Sequence, residues 1–387
     1  MSKARRLVLF ISLLAALSRL LVSVPSLSVE ELQEVPREIK NDYAPQCTQA
    51  QRKRILEQLP AFACLARSVM RVHRKCRIVR ATRCPQSNIW LEHVYQHDWR
   101  NTMAPFVGIN VGCNKAFDAI NLLRMGTRDP SFLPQTWKSA LGNTSSEMRN
   151  QGEHPAPIPK SSPNRPGVVH CVEPLPVTMV RLQEAAQKSG YADKGLVLHH
   201  VAMSDRQGSV HFPVRQKLTS SEGTPSVAAV ETGKEDARLD SCSSLESEEE
   251  LNKFCTPVPM STLDQHFGDL LKERSTIQVL KVDAEGWDYP VLFGGGMEML
   301  KKVEYLEFEN HRVGAWQNHS LQDAVEKLDR LGFTCYWAGK GRLWRISGCW
   351  MDHFGVKSWS NVACAHRVLA PTLAARMEHV FALTLGL

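Results

Sequence analysis

Two carboxylates stand directly after an apolar run that has the composition of a buried strand. The run from Ile277 to Val282 is followed by Asp283 and Glu285, and then by Gly286. Strands this apolar occupy the centre of parallel sheets, whose carboxyl ends border the ligand crevice in open α/β folds. Asp283 and Glu285 are therefore the first candidates for acid, base or positioning chemistry. The competing interpretation is a strand that ends in solvated acids.

Three other apolar stretches also end in polar residues that suit ligand binding. The first carries Gly112 and Asn114 in its turn, the second ends at Glu173, and the third turns at Ser204 and Asp205. An acid at the end of the second strand suits the two hydroxyls of a ribose, as in dinucleotide-binding folds. These residues predict a nucleotide-like ligand at one edge of a sheet.

A further strand candidate, YLEFENH from Tyr305 to His311, adds Glu309 and His311 to the same rim. Glu307 and Glu309 alternate along this strand and should share a face. Glu309 lies nearer the carboxyl end and is the stronger functional candidate. For every acid on this rim the competing interpretation is a helix cap or an ion pair with arginine.

The elements that must position these residues alternate strand with helix along the chain. Apolar residues at helical spacing follow the first and second strands, and another helix is predicted between Ser320 and Gly332. The segment from Phe333 to Trp350 has the pattern of a β-hairpin around Gly339 to Gly341. This order predicts an α/β fold with a doubly wound, mostly parallel sheet.

Together these segments resemble the FkbM-type methyltransferase family, whose members are class I S-adenosylmethionine enzymes with a Rossmann-like sheet. The resemblance covers roughly Phe106 to Trp350, and its strongest part is KVDAEGWDYPVLFGG. The pair Glu173 and Pro174 and the A-x-S-D run ending at Asp205 are also similar. The resemblance implies S-adenosylmethionine as cofactor and an antiparallel hairpin that closes one edge of the sheet.

The resemblance also implies roles for individual residues. It implies these cofactor-binding residues: Asn110, Gly112, Asn114, Glu173, Ser204 and Asp205. The catalytic candidates follow instead from their places at strand ends on one rim, where a base or acceptor-positioning group is needed for methyl transfer: Asp283, Glu285, His311 and Glu309. No metal ligand set is expected.

The first turn departs from the family pattern of acid-x-Gly-Ala-Asn-x-Gly. Asn110 replaces the acid and Ala116 replaces the last glycine. Loss of the acid removes a charge-assisted contact to the cationic end of S-adenosylmethionine, which is worth about 1.5 to 3 kcal/mol. Asn110 can still accept a hydrogen bond, so we expect donor binding to be weakened rather than abolished.

The length and composition fit one catalytic domain with additions. With 387 residues and 43% hydrophobic content, the chain can bury a substantial core. We predict a signal peptide or signal anchor at residues 1–28 and a basic, cysteine-containing region at 29–100. An FkbM-like methyltransferase domain should span 101–366, with insertions at 124–167 and 215–256, and a C-terminal tail should cover 367–387.

The amino terminus has the pattern of a secretory signal. Basic residues up to Arg6 precede an apolar run from Leu7 to Leu17, and Arg19 interrupts the apolar stretch. This segment is read as a cleaved signal or as a retained membrane anchor, and Arg19 makes a full membrane span less favourable. Sequons at Asn143 and Asn318 agree with secretory entry and predict a glycoprotein.

The two insertions and the basic region have compositions of their own. Nine acids and two bases between Glu222 and Glu250 predict a disordered insertion. The insertion from Arg124 to Gly167 is interpreted as a mobile surface loop or as a lid. From Ala50 to Arg83 there are ten basic residues and one acid, which suit phosphate, sulfate or anionic lipid, or a solvated helix face. Nucleic acid is not expected as a partner of a lumenal protein.

Secretory entry predicts disulfides among the eleven cysteines. An N-terminal group is expected to pair internally, in one of three ways, with a zinc site as the alternative: Cys47, Cys64, Cys76 and Cys84. A disulfide between Cys242 and Cys255 should close a loop. A second group should form disulfides that link the C-terminal strands: Cys335, Cys349 and Cys364. Cys113 and Cys171 are expected to be free core thiols.

These observations predict an S-adenosylmethionine-dependent O-methyltransferase of the secretory pathway. Its acceptor should be a glycan or another hydroxylated molecule, and its oligomeric state is left open. The alternative is a lumenal binding or scaffold protein that keeps the methyltransferase fold without turnover. Asn110 and Ala116 favour the scaffold, whereas the intact run of Asp283, Glu285 and Gly286 favours the enzyme.

Overall fold

The computed structural model describes residues 44–62, 90–91, 105–142, 164–219, 225–229, 242, 245, 247–339, 341–357 and 360–387. The predicted signal segment at 1–28, Cys64, Cys76, Cys84, the sequon at Asn143 and most of the basic region lie outside these residues. In the part of the chain that is described, no helix combines the length and apolar character needed to cross a membrane.

The described residues form three β-sheets. Their strands are Phe106–Val111 (β1), Gly167–Val172 (β2), Leu196–His199 (β3), Ala202–Met203 (β4), Gly208–Pro213 (β5), Arg215–Thr219 (β6), Pro225–Ala229 (β7), Cys255–Ser261 (β8), Ile277–Val282 (β9), Val303–Asn310 (β10), Phe333–Gly339 (β11), Arg342–Arg345 (β12) and Ser360–His366 (β13). The largest sheet has the order β12-β11-β13-β10-β9-β1-β2-β3. The second has the order β4-β8-β5, and β6 pairs with β7.

Helices connect and cover these strands. The α-helices of the described residues are Gln49–Phe62 (α1), Phe117–Thr127 (α2), Pro134–Leu141 (α3), Pro176–Ser189 (α4), Glu248–Phe254 (α5), Leu263–His266 (α6), Gly268–Glu273 (α7), Met297–Leu300 (α8), Leu321–Arg330 (α9) and Pro371–Leu385 (α10). Ser320 caps α9 by accepting a hydrogen bond from the Asp323 amide, and the helix lies within the segment predicted between Ser320 and Gly332. A π-helical turn, Pro290–Gly294, follows β9.

Five strands run parallel through the large sheet, in the order β3-β2-β1-β9-β10. All six residues of β1 are buried, and Val279, Leu280 and Val282 of β9 are at most 1% exposed. Such continuous burial is typical of strands covered on both faces. From β1 the chain continues to β2 and β3 on one side, and β9 and β10 lie on the other, so the topological switch point lies between β1 and β9, beside the carboxyl end of β2. This α/β architecture confirms the predicted Rossmann-like fold class.

The predicted closing hairpin is present as β11 and β12, but it does not pair with β10. Instead, β13 lies between β10 and β11 and is antiparallel to both. Its seven residues are all buried. The expected C-terminal tail contains α10, which packs on α1, β12 and β13. Neither β13 nor α10 was predicted from the sequence.

The two insertions contain more structure than their composition predicts. Residues 225–229 of the acidic insertion form β7, paired with β6, and α5 begins at Glu248. The prediction of disorder was therefore wrong for these segments. The insertion from Arg124 to Gly167 contains α3, whose Trp137 is fully buried, so a mobile surface loop was wrong for residues 134–141. Trp137 supplies the apolar anchor that orders this helix.

Four disulfides lie within the described residues. Cys335–Cys364 joins β11 to β13, and Cys242–Cys255 closes a loop, as predicted. Cys47 instead pairs with Cys349, which corrects the expected pairing within the N-terminal group, because α1 packs on α10 and its Gln58 contacts Trp344 of the C-terminal hairpin. Cys113 and Cys171 are also bonded and not free thiols, because the turn after β1 folds over the end of β2. Such disulfides indicate an oxidising compartment.

Candidate functional site

The carboxyl ends of β1, β2, β9 and β10 bring most of the predicted site residues to one rim. Asn110 and Val111 of β1 pair in register with Cys171 and Val172 of β2 and with Lys281 and Val282 of β9. The positions immediately beyond these pairs include Gly112, Glu173 and Asp283. Parallel strands thus place three segments that are distant in sequence within one crevice.

The turn after β1 has an unusual backbone conformation. Gly112, Asn114 and Ala116 have φ values of 70°, 46° and 57°, all in the left-handed region. A Cβ atom on Gly112 would overlap the carbonyl oxygen of Asp283, so only glycine allows β1 and β9 to approach this closely. Ala116, where the family pattern has glycine, carries a Cβ in a conformation that glycine adopts at lower cost.

Glu173 is tied to this turn by its carboxylate. Oε2 of Glu173 accepts a hydrogen bond from the Asn114 amide at 2.8 Å, and Oε1 accepts one from the Leu175 amide at 2.8 Å. The side chain is 5% exposed. A carboxylate has about four lone-pair positions, so it can accept more than two hydrogen bonds. Glu173 therefore both orders the turn and presents an acid to the crevice.

Two amide oxygens near the turn lack protein partners. Oδ1 of Asn110 and Oδ1 of Asn114 are buried and accept no hydrogen bond. Asn110 itself is 1% exposed. Buried acceptors without partners are uncommon in folded proteins, and they indicate a missing donor such as a ligand or an ordered water.

The loop after β9 is braced against the loop after β10. Glu285 has a φ of 48°, and Gly286 has a φ of 94°. The amide of Ala315 donates to the Gly286 carbonyl at 2.9 Å, and a Cβ on Gly286 would lie 2.6 Å from the carbonyl oxygen of Val313. Asp283 and Glu285 are both partly exposed at this rim. The two predicted acids are thus held on a backbone of fixed conformation.

A buried carboxyl that the sequence did not single out lies beside these acids. Asp288 is fully buried, and its Oδ1 accepts a hydrogen bond from the Glu309 amide at 3.2 Å. Burial raises the pKa of Asp288 to about 8, and the charge of Asp283 adds to this effect. Burial therefore favours the protonated form of Asp288. Its closeness in sequence to Asp283 and Glu285 could have marked Asp288 as a candidate site residue, but sequence spacing does not reveal that the side chain is buried.

Glu309 and His311 are much less accessible than Asp283 and Glu285. Glu309 is 4% exposed and ends β10 with Asn310, and His311 directly follows and is 1% exposed. Glu307, two residues earlier on the strand, accepts a hydrogen bond from the Tyr305 hydroxyl at 2.8 Å and lies 3.5 Å from Lys281. Glu307 is thus a structural partner of Lys281.

Ser204 and Asp205 lie in the turn after β4, outside the large sheet. The Ser204 hydroxyl donates to Asp205 at 3.1 Å, and Asp205 is exposed. Their backbone packs on Gly294 and Gly295, where Cβ atoms would overlap this turn. The glycine run after β9 therefore allows close approach between the Asp205 turn and the segment that carries Asp283.

The two tryptophans near the rim have different environments. Trp316 is fully buried and stacks on Phe308, with ring centroids 6.1 Å apart, so it belongs to the core. Trp287 is 48% exposed and directly follows Gly286. Trp287 is consequently the aromatic side chain at this loop that is open to a ligand.

Three histidines form a chain of ring contacts beside β2 and β3. Nδ1 of His170 lies 2.9 Å from Nε2 of His199, and Nδ1 of His199 lies 3.0 Å from Nε2 of His266. Burial lowers the pKa of His170 and His199 to about 4, and the neighbouring imidazoles add to this effect. The chain is therefore neutral at pH 7. Among the described residues, no group of histidines, cysteines and acids is arranged to hold a metal ion.

One comparison with known protein families agrees with the predicted family. Residues 160–335 match the family model described as methyltransferase FkbM domain. No curated protein matches the chain. A solved structure, the SAM-dependent methyltransferase from Agrobacterium tumefaciens, is 9% identical with a TM-score of 0.30. The match covers 72% of this chain and 60% of that one. The family match agrees with the resemblance inferred from the sequence: residues 160–335 of the chain are similar to the methyltransferase FkbM domain.

Proposed function

We propose that the protein is an S-adenosylmethionine-dependent O-methyltransferase that acts on a glycan or another hydroxylated acceptor in the secretory pathway. The observation that carries this proposal is the meeting of the Gly112 turn, Glu173 and Asp283 at the switch point of the sheet. The sequence match over residues 160–335 supports methyl transfer as the reaction class. The proposed catalytic domain spans 101–366, between the basic region at 29–100 and the tail at 367–387.

The residues at the rim fit the methyl donor. The partnerless Oδ1 atoms of Asn110 and Asn114 are acceptors for an ammonium or hydroxyl group. Glu173 retains capacity for ribose hydroxyls, and Gly112 leaves room where a side chain would block the crevice. Ser204 and Asp205 are proposed to bind from the neighbouring turn. The residues proposed to bind S-adenosylmethionine are thus neutral at Asn110 and acidic at Glu173 and Asp205.

The acids after β9 are proposed to position the acceptor and to receive its proton. S-adenosylmethionine supplies an activated methyl group when bound, so the protein must chiefly align an acceptor oxygen and receive its proton. Asp283 is our first candidate for this role and Glu285 the second, since both are partly exposed. His311 and Glu309 are proposed to assist from deeper positions, because they are at most 4% exposed.

The compartment is inferred from disulfides and from a sequon. Four disulfides favour an oxidising environment, and Asn318 is exposed in the sequon completed by Ser320. Residues 1–28 are proposed to direct the chain into the secretory pathway, as a cleaved signal or as an anchor. A lumenal glycan then becomes an available acceptor.

A scaffold without turnover is the second candidate function. Asn110 in place of an acid, and Ala116 at a φ of 57°, are the observations that favour it. In this alternative the same fold would bind a partner without transferring a methyl group.

Calorimetric titration with S-adenosylmethionine separates the two candidates. We expect the parent protein to bind the donor and the Glu173→Ala variant to bind about 10- to 150-fold more weakly. This range corresponds to about 1.5 to 3 kcal/mol for lost charged hydrogen bonds. Glu184→Ala is the matched control, because Glu184 is an exposed acid on α4 paired only with Lys188 in the described residues. Equal affinity in the folded Glu173 variant would remove Glu173 from the site.

The Asn110→Asp variant extends the same experiment to the altered turn. Restoring one charged hydrogen bond should strengthen donor binding by about tenfold, or 1.4 kcal/mol. S-adenosylhomocysteine lacks the sulfonium charge and should respond less. If neither parent nor variant binds the donor while both remain folded, the scaffold function is favoured.

A further inference from the structure

The turn at Gly112–Ala116 is unfavourable as an isolated backbone segment. Three of its residues have positive φ values, and two of these, Asn114 and Ala116, are not glycine. Each left-handed non-glycine residue costs about 1 to 2 kcal/mol, somewhat less for asparagine. Such a conformation persists only where the surrounding structure imposes it. The contacts that impose it are therefore part of how this site is built.

Hydrogen bonds hold the turn from the side of β2. The amides of Gly112 and Cys113 both donate to the Val172 carbonyl, at 2.9 and 3.1 Å. The Asn114 amide donates to Glu173 at 2.8 Å. These bonds depend on the turn lying directly over the end of β2, where Glu173 begins.

A disulfide bond and the indole of Trp137 also attach the turn to its neighbours. The Cys113–Cys171 disulfide joins the centre of the turn to β2, with Cα atoms 5.5 Å apart. On the other side, Nε1 of Trp137 in α3 donates to the Lys115 carbonyl at 2.7 Å. Both cysteines and Trp137 are buried. The insertion and the disulfide thus hold the turn on either side of Asn114.

We propose that the Cys113–Cys171 disulfide positions the donor-binding turn, so that the donor site is complete only in the oxidised protein. This inference rests on the proposed function. The disulfide keeps Asn114 against Glu173 and keeps the Asn110 and Asn114 oxygens at the crevice. Trp137 assists from α3. Reduction by a dithiol would give two thiols at Cys113 and Cys171 and a cyclic disulfide of the reagent, and would release the turn from β2.

The test compares two disulfides that are both buried but lie in different places. Cys113→Ala/Cys171→Ala removes the proposed brace, and Cys335→Ala/Cys364→Ala removes the bond between β11 and β13. Affinity for S-adenosylmethionine is measured by calorimetry, and amide hydrogen exchange is followed at residues 112–116. We expect the first variant to lose about tenfold or more in affinity and to exchange faster at the turn. The second should keep its affinity within about twofold of the parent, even if its stability falls.

Each outcome decides the proposal. Donor binding by the parent with equal affinity in the Cys113 variant overturns the positioning role alone. No donor binding by the folded parent overturns the proposed function, and this inference with it. If the Cys113 variant does not fold, the parent is reduced stepwise with dithiothreitol, and each cysteine is followed by differential alkylation. Affinity that falls as Cys113 and Cys171 become alkylated supports the proposal, and unchanged affinity contradicts it.

Discussion

At the scale of single residues, Asp288 and Asp283 show how two nearby acids acquire different properties. Asp283 is partly exposed at the rim, whereas Asp288 is fully buried and hydrogen bonded to the Glu309 amide. Burial, reinforced by the charge of Asp283, raises the pKa of Asp288 to about 8. Burial therefore separates the properties of two nearby acids, and enzymes use such separation to divide base and acid roles between carboxyl groups.

The raised pKa of Asp288 predicts a pH dependence of stability. Between its unfolded pKa near 3.8 and its folded pKa near 8, the native state holds a proton that the unfolded state has lost. The free energy of unfolding contributed by Asp288 therefore falls as pH rises through this window, by at most about 1.4 kcal/mol per pH unit. Asp288→Asn should remove this slope, as measured by urea unfolding between pH 5 and 8.

The comparison between parent and variant isolates Asp288 from other titrating groups. Buried histidines such as His170 have lowered pKa values, so their contribution changes in the opposite direction below about pH 6.5. Asp269→Asn serves as control, because Asp269 is exposed and its pKa is lowered by Lys272. Parallel pH profiles for the parent and the Asp288 variant would show that Asp288 does not hold this proton.

Sequence reasoning identified the acids of the rim but not their protonation states. The apolar run before Asp283 marks the end of a strand, and this is a local property. Asp288 is buried against β10, whose Glu309 amide donates to it from another segment of the chain. The Cys113–Cys171 bond escaped prediction for the same reason. Its geometry depends on how the turn folds over β2, which no spacing in the sequence reveals.

At the scale of elements, the turn between β1 and α2 predicts an unusual response to glycine. Ala116 has a φ of 57°, a conformation in which alanine costs about 1 to 2 kcal/mol. Glycine loses about 0.5 to 1 kcal/mol through chain entropy. Ala116→Gly should therefore raise the free energy of unfolding by about 0.5 to 1 kcal/mol, measured by urea denaturation. The matched control is Ala119→Gly within α2, which should lower stability by about 1 kcal/mol.

Strands and helices with strong periodic patterns were predictable, and weakly patterned ones were not. β9 and α9 have apolar residues at the spacing of their element and clear boundaries, and both were predicted correctly. β13 contains serine, asparagine, alanine and cysteine, which have little strand preference of their own. It becomes a strand because β10 and β11 pair with it on both sides.

At the scale of the whole molecule, the N-terminal helix is fastened to the C-terminal hairpin. Cys47 bonds to Cys349, and the Cys47 amide donates to the Gly348 carbonyl at 2.9 Å. Further along α1, Gln58 donates to the Thr384 carbonyl at 2.6 Å. These contacts connect the start of the described chain to α10. They lie beside β12, at the far edge of the large sheet from β1 and β9, so they should affect stability and not donor binding.

Removing this attachment should therefore release α1. Cys47→Ser/Cys349→Ser should lower the free energy of unfolding by about 2 to 5 kcal/mol and speed amide hydrogen exchange at residues 49–58. Cys242→Ser/Cys255→Ser is the control, because that disulfide closes a loop with a sequence separation of 13. The control should leave exchange in α1 unchanged. Unaltered protection of α1 in the first variant would show that noncovalent contacts alone hold the helix.

The position of β13 has a consequence for biosynthesis. The β11–β12 hairpin joins the rest of the sheet only through β13, which is translated after both of its strands. When translation has reached residue 345, the β11–β12 hairpin therefore has no strand of the large sheet to pair with. One edge of β10 is also still unpaired. The last strand made closes the gap between two earlier ones, so assembly of the sheet is completed after translation of residues 360–366 and not from one end to the other.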